Sequence, residues 1–165
     1  MSFNLKESQH IENKQVWRDE YLKWLCGFAN ADGGVLTIGR NDRGIAVGVP
    51  DARKLMEDIP NKVRDVLGIM VAVNLRVEDK KDLIEIRVDA YPSPINYKGQ
   101  YFLRSGSTNQ SLKGAALDRF LMRKQGLTWD GVPVPYVKVE DLSQVAIDTF
   151  KKLAKRGQRL DVALL

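Results

Sequence analysis

The stretch from Ala29 to Gly44, Ala-Asn-Ala-Asp-Gly-Gly-Val-Leu-Thr-Ile-Gly-Arg-Asn-Asp-Arg-Gly, constrains what this chain can fold into more than any other. It reads as a helix end, a tight glycine turn, a short buried strand and a second turn. Gly33-Gly34 supplies the positive φ that a helix-to-strand reversal needs, because a Cβ makes that conformation costly. Val35, Leu36 and Ile38 form an apolar run of strand type. Asn41-Asp42-Arg43-Gly44 has the residue types of a hairpin turn, and Ile45 to Val49 is expected to return as the partner strand. Asn30, Asp32, Asn41 and Asp42 then stand at the two ends of one strand, where a scaffold displays working residues. The same residue types are also ordinary turn formers.

Around this centre the periodicities define the other elements. Residues 3–14 look extended. Trp17, Tyr21, Trp24, Leu25 and Phe28 recur at helical spacing and predict an amphipathic helix over 16–30 with that aromatic stripe in the core. A second helix is expected over 51–66, kinked or broken by Pro60. Strands follow at 69–77 and 83–88, joined by the charged turn Glu78 to Asp82, and a last strand at 97–104 runs into a polar loop over 105–110. A third helix covers 114–125. The stretch 129–136 is linker-like, and a further amphipathic helix covers 140–157. Residues 1–126 are therefore expected to form one domain, 127–138 a linker, and 139–165 the start of a following helical region. That region ends on an apolar note and looks truncated.

Composition narrows the function classes. The chain has 165 residues, 44% of them hydrophobic, which suits a packed core. One cysteine, Cys26, excludes an internal disulfide, and with a single histidine it excludes a structural zinc site; it reads as a small core residue. The N-terminus lacks a signal-peptide layout, and the longest apolar run, Leu67 to Val73, is too short to span a bilayer. A cytoplasmic protein is expected. The net charge of +5 is uneven: residues 1–90 hold 14 Lys and Arg against 15 Asp and Glu, and residues 91–165 hold 12 against 6. A basic second half suits a polyanionic partner.

No Gly-x-x-x-x-Gly-Lys-Ser/Thr loop is present, so P-loop ATP hydrolysis by this segment is not expected, and His10 has no nucleophile elbow to serve. Glu7, Glu12 and Asp42 are the carboxylates from which a Mg²⁺ or Mn²⁺ site would be built. Glu7 and Glu12 are five apart, so a regular strand places them on opposite faces, and only a bulge or bend between them brings them together. Arg40, Arg43, Tyr97, Lys98 and Arg104 lie at strand ends or turns and combine cations with an aromatic that can stack on a base. Arg119, Arg123 and Lys124 add a basic helix flank, and Lys151, Lys152, Lys155, Arg156 and Arg159 another.

Three separated motifs resemble one family. Glu7-Ser-Gln-His-Ile-Glu12-Asn-Lys14, the central stretch from Phe28 to Gly39 with Asp42-Arg43-Gly44 and Gly48-Val49, and Tyr101-Phe-Leu-Arg104-Ser-Gly-Ser107 together look like the Schlafen AlbA-type domain over about residues 5–125. The tail resembles the continuation in bacterial proteins labelled transcriptional regulators or RecG-related helicases. The resemblance implies an α/β (α+β) domain with a mixed, mostly antiparallel sheet flanked by helices, and nucleic-acid binding, as a homodimer or tandem pair. It also implies a second reading, because Schlafen ribonucleases cut tRNA and rRNA with three carboxylates and a divalent metal. Glu7 and Glu12 match their first two carboxylates, and Asp42 stands where the third falls. Asn13 departs from the aromatic that commonly follows the second glutamate.

Two functions of different class thus remain open. In the first, the chain is a nucleic-acid-binding N-terminal domain of a bacterial regulator, with Arg40, Arg43, Lys98 and Arg104 on phosphates. In the second it is a metal-dependent endoribonuclease with Glu7, Glu12 and Asp42 as ligands and Lys14 steadying the phosphate. A scaffold domain with vestigial carboxylates is a third and weaker reading.

Overall fold

Helix α1 (Leu22–Asn30) is the element that both sheets pack against. A computed structural model of the chain describes residues 6–126 and 144–156. The chain divides into two compact units, residues 1–127 and 128–165. In the second, the described element is helix α4 (Gln144–Arg156); the expected linker lies outside the described residues.

The first unit carries a four-stranded sheet in the order β1 (Ile11–Lys14), β2 (Gly34–Ile38), β4 (Lys81–Val88), β3 (Ala72–Glu78). β1 runs parallel to β2, with Glu12 opposite Leu36, whereas β2–β4 and β3–β4 are antiparallel. The sheet is therefore mixed and mostly antiparallel. A second, three-stranded antiparallel sheet joins β5 (Asn96–Tyr97), β6 (Gln100–Ser105) and β7 (Thr108–Ser111). Helices α2 (Ala52–Leu67) and α3 (Gly114–Lys124) complete the unit.

From Leu25 to Asn30, α1 is buried without interruption, which is how a helix reads when both sides have something to pack against. Leu25, Phe28 and Ala29 meet Leu36, Ile38, Ile84 and Ile86 of the first sheet, Ile59 and Val63 of α2, and Ile95 and Phe102 beside or on the second sheet. The helix is shorter than the spacing predicted, because residues 19–21 form a single 3₁₀ turn ahead of it.

Six further expectations are corrected. Residues 45–49 form no strand: beyond an isolated Arg40–Ala46 bridge the segment leaves the sheet, and Val49 N–H donates to Asp82 O. The reason is that both edges of β2 are already taken, by β1 on one side and β4 on the other. Helix α2 runs unbroken through Pro60, held by the fully buried Ile59 and Val63, so tertiary burial outweighs the local cost of proline. The turn between β3 and β4 contracts to Asp79-Lys80, both at positive φ, as the twist of a two-residue hairpin requires. The expected single strand 97–104 is interrupted by Lys98-Gly99, also at positive φ, and the expected polar loop 105–110 contains the start of β7. Of the two central glycines, Gly33 alone has positive φ, at 78°. Gly34 is needed for a different reason: a Cβ there would stand 2.5 Å from the Phe28 ring.

Candidate functional site

The Glu-x-x-x-x-Glu-x-Lys motif folds back on itself. Gln9 and His10 form a tight turn in which Ser8 N–H donates to Ile11 O at 2.9 Å, and His10 Nδ1–H donates to Gly33 O at 3.2 Å. This is the bend that spacing demanded if Glu7 was to return toward β1, and Glu7 Oε1 accepts the Asn13 N–H at 3.4 Å.

Glu12, however, points inward. It is 1% exposed, with Arg104 Nη1 2.8 Å from its Oε2 and Lys14 Nζ 2.5 Å from its Oε1. Arg104 is sealed as well. Its Nη2 donates to Ser8 O at 2.6 Å and to Ile11 O at 3.0 Å, and its Nε to Ser8 O at 3.2 Å. The guanidinium lies 5.2 Å from the Trp24 ring centroid and 5.0 Å from that of Phe28, and Lys14 Nζ lies 4.8 Å from Trp24. Desolvating these charges is costly, and the ion pair, carbonyl acceptors and ring faces together repay it. Trp24, expected as plain core, is a half-buried platform for two cations. Gln9 of the turn completes the seam, donating from Nε2 to Arg104 O and accepting from Gly106 N–H.

Arg40 is the second cation that the fold withdraws from the surface. It is 2% exposed, donates from Nη1 to Gly44 O at 2.9 Å, and pairs with Glu78 at the end of β3. The Arg40 hydrogen bond holds the Glu78 carboxyl below the usual glutamate value. Neither Arg40 nor Arg104 presents its charge to a phosphate as expected from sequence; both lie inside and are spent on carboxylates.

Arg43, Tyr97 and Lys98 stand differently. Arg43 is exposed in the turn that Asn41 Oδ1 organises by accepting the N–H groups of residues 43 and 45 at 3.0 Å each. Asp42 is exposed in the same turn. Lys98 is exposed at the β5–β6 turn, its Nζ 5.3 Å from the Tyr97 ring centroid. Neither Arg43 nor Lys98 forms an ion pair among the described residues. Nearby, Asp19 is held below the usual carboxylate range, first by the hydrogen bond from Lys62.

The residues do not fit a divalent cation in this arrangement. Both oxygens of Glu12 are engaged by cations, Glu7 is turned onto the β1 backbone, and Asp42 stands in an exposed turn beyond β2. Among the described residues no three acidic, histidine or cysteine side chains gather closely enough to hold a metal ion. Lys14 is bound to Glu12 rather than free to steady a phosphate.

Asn30 and Cys26 are structural. Asn30 is 3% exposed and clamps three segments, donating from Nδ2 to Ile95 O and Phe102 O and accepting from Ile95 N–H, each at 2.8 Å. Burial pushes the Cys26 thiol up to about 11, so it is neutral and donates to Ile95 O. Asp32, by contrast, lines a cavity of about 650 Å³ together with Arg119, Arg123 and Lys124 of α3. Sequence reasoning found that basic flank but not the cavity it lines, since nothing local joins residue 32 to residue 119.

A mixed sheet flanked by helices, with an arginine of the second sheet locked into the glutamate motif of the first, defines a compact α+β domain. Residues 7–113 match the family described as Schlafen, AlbA_2, and the chain belongs to that family. Among solved structures, the DIP2311 protein of Corynebacterium diphtheriae aligns with a TM-score of 0.57 at 16% identity. That alignment covers 93% of this chain and 35% of the other, so the two share a fold and this chain spans about a third of that protein's length. The N-terminal domain of a RecG-related protein from Nitrosomonas europaea aligns at 26% identity over 67% of this chain and 87% of that one, with a TM-score of 0.47. No curated protein matches. Among the described residues no helix is long and apolar enough to cross a membrane.

Proposed function

We propose that the first unit is a nucleic-acid-binding domain, acting within a transcriptional-regulator-like protein. The observation that carries this reading is the division among the cations. Arg40 and Arg104 hold the fold together, while Arg43 and Lys98 are exposed and have no carboxylate partner among the described residues, and Lys98 stands beside the Tyr97 ring. A cation beside a ring face is the pairing that takes a phosphate and stacks a base at neighbouring positions of one strand. Membership of the Schlafen, AlbA_2 family and the RecG-related likeness support the same reading.

The test is fluorescence anisotropy of the chain with labelled tRNA and with duplex DNA over a salt series. Affinity is expected to fall by roughly one unit of log–log slope for each phosphate neutralised. The Arg43→Ala/Lys98→Ala variant is expected to flatten that slope by about two. A flat response in the parent chain would overturn the proposal. Running each polymer with Mn²⁺ and with EDTA separates binding from cutting, and metal-dependent scission would show that the carboxylates rearrange when a substrate is bound.

A further inference from the structure

The cavity lined by α3 and the helix-to-strand turn carries charges of both signs. Arg119 and Arg123, four apart, share a face of α3, with Cβ atoms about 6 Å from each other. Both are exposed, and neither has a hydrogen bond or ion pair among the described residues. Two such forks are the arrangement that grips a phosphate through several parallel N–H donors. Asp32 lines the same cavity from the helix-to-strand turn, exposed and likewise without a hydrogen bond or ion pair among the described residues. Its charge is felt at Lys124, where burial lowers the ammonium's pKa and Asp32 opposes that shift. Lys124 itself is committed, donating to Tyr91 O at 2.6 Å. Leu103, Leu112 and Phe120 give the lining an apolar part.

Each part restricts the occupant. A volume of about 650 Å³ lies within the range of small-molecule sites and is far larger than an inorganic anion needs. The apolar part of the lining requires a ligand with a flat or hydrophobic body, not a bare anion. The Asp32 carboxylate repels a second negative group and accepts a hydrogen bond, so the part of the ligand that meets it must carry a donor such as a ribose hydroxyl or an exocyclic amine. A single phosphate, a ring body and a hydrogen-bond donor together describe one nucleotide.

We propose that this cavity is a site for a nucleoside monophosphate unit, with Arg119 and Arg123 on the phosphate and Asp32 on the sugar or base. The unit is either a free mononucleotide or the phosphorylated end of a strand, since both offer the same chemistry. The proposal does not rest on the strand-binding surface, because Arg43 and Lys98 lie outside the cavity.

The experiment is calorimetric titration of the full chain with the four common ribonucleoside 5′-monophosphates, adenosine and inorganic phosphate. At least one monophosphate is expected to bind, with adenosine and phosphate at least tenfold weaker. Arg119→Ala/Arg123→Ala should lose at least tenfold in monophosphate affinity with an unchanged circular dichroism spectrum. Asp32→Asn should weaken the monophosphate while tightening inorganic phosphate. Arg43→Ala/Lys98→Ala should leave monophosphate affinity as in the parent, which separates this site from the surface proposed above. Competition with a short RNA bearing a 5′-phosphate or a 5′-hydroxyl names the source: displacement by the phosphorylated RNA alone assigns a strand end, and displacement by neither assigns a free nucleotide. Absence of monophosphate binding, inorganic phosphate binding as tightly as a monophosphate, or full affinity in the double-arginine variant would overturn the proposal.

Discussion

Arg104 and Arg119 border the same cavity, yet they belong to two regions built on opposite principles. In the seam between β1 and β6 every charge is answered. Arg104 meets Glu12 and two backbone carbonyls, Lys14 meets the other oxygen of Glu12, and Trp24 covers both cations. On the α3 wall, Arg119 and Arg123 answer nothing within the described residues. An arginine that a fold buries must be partnered, because an isolated buried charge is costly, whereas one left unpartnered at a cavity mouth is available to a ligand. Charge counted along a sequence is therefore a poor guide to charge available for binding. Two of the five residues that the motif pattern put forward for nucleic acid turn out to be struts.

The sharpest way to break this contrast is Arg104→Met. It leaves Glu12 buried with Lys14 as its single cation and removes the Arg104 hydrogen bonds to Ser8 O and Ile11 O, so a loss of about 3–5 kcal/mol in urea unfolding is expected. A loss below about 1 kcal/mol, the scale of an exposed pair, would show that the seam is not structural. Next comes Asn30→Ala. It leaves Ile95 N–H and Phe102 O without partners inside the core, and a loss of about 2–4 kcal/mol is expected from the same measurement.

A smaller effect separates Glu78 from the surface acids. Its pKa is depressed in the folded state by Arg40, so the stability it contributes is present above the ordinary glutamate value and is lost as pH falls through the depressed one. Thermal unfolding followed from pH 7 down to pH 3 should fall more steeply in the parent than in Glu78→Gln, which has no such proton to take up. Parallel curves would remove the Arg40–Glu78 pair from the structural set. Smallest of all is Arg119→Ala/Arg123→Ala, expected to change stability by no more than about 0.5 kcal/mol per site, the range of ordinary surface substitutions. A larger loss would mean that α3 uses these side chains for folding and that the contrast with Arg104 is false.

The centre of the fold was legible for local reasons. Gly33 sits at the reversal where only positive φ closes the turn, and the Val35–Ile38 run became β2 because its residues suit a strand paired on both edges. The bend between Glu7 and Glu12 was also legible, as a condition: five-residue spacing places the two together only if the chain turns. Asp79-Lys80 and Lys98-Gly99 were missed as two-residue turns because Asp79, Lys80 and Lys98 are not glycine, and their positive φ is imposed by the hairpins around them. Pro60 misled for the opposite reason. Its local rule is strong, but Ile59 and Val63 lie in the core on either side of it.

By itself the sequence determined most of the elements and the family resemblance, since helix and strand periods, turn glycines and the three motifs act over a few residues each. The tertiary structure alone decided which polar groups are spent and which are free. Glu12 and Arg104 are far apart in the chain and become an ion pair only because α1 brings the two sheets against one helix. Asp32 and Arg119 come to line one cavity by the same packing. Such pairings depend on how α1 and α3 stack against the sheets, and no local spacing encodes that.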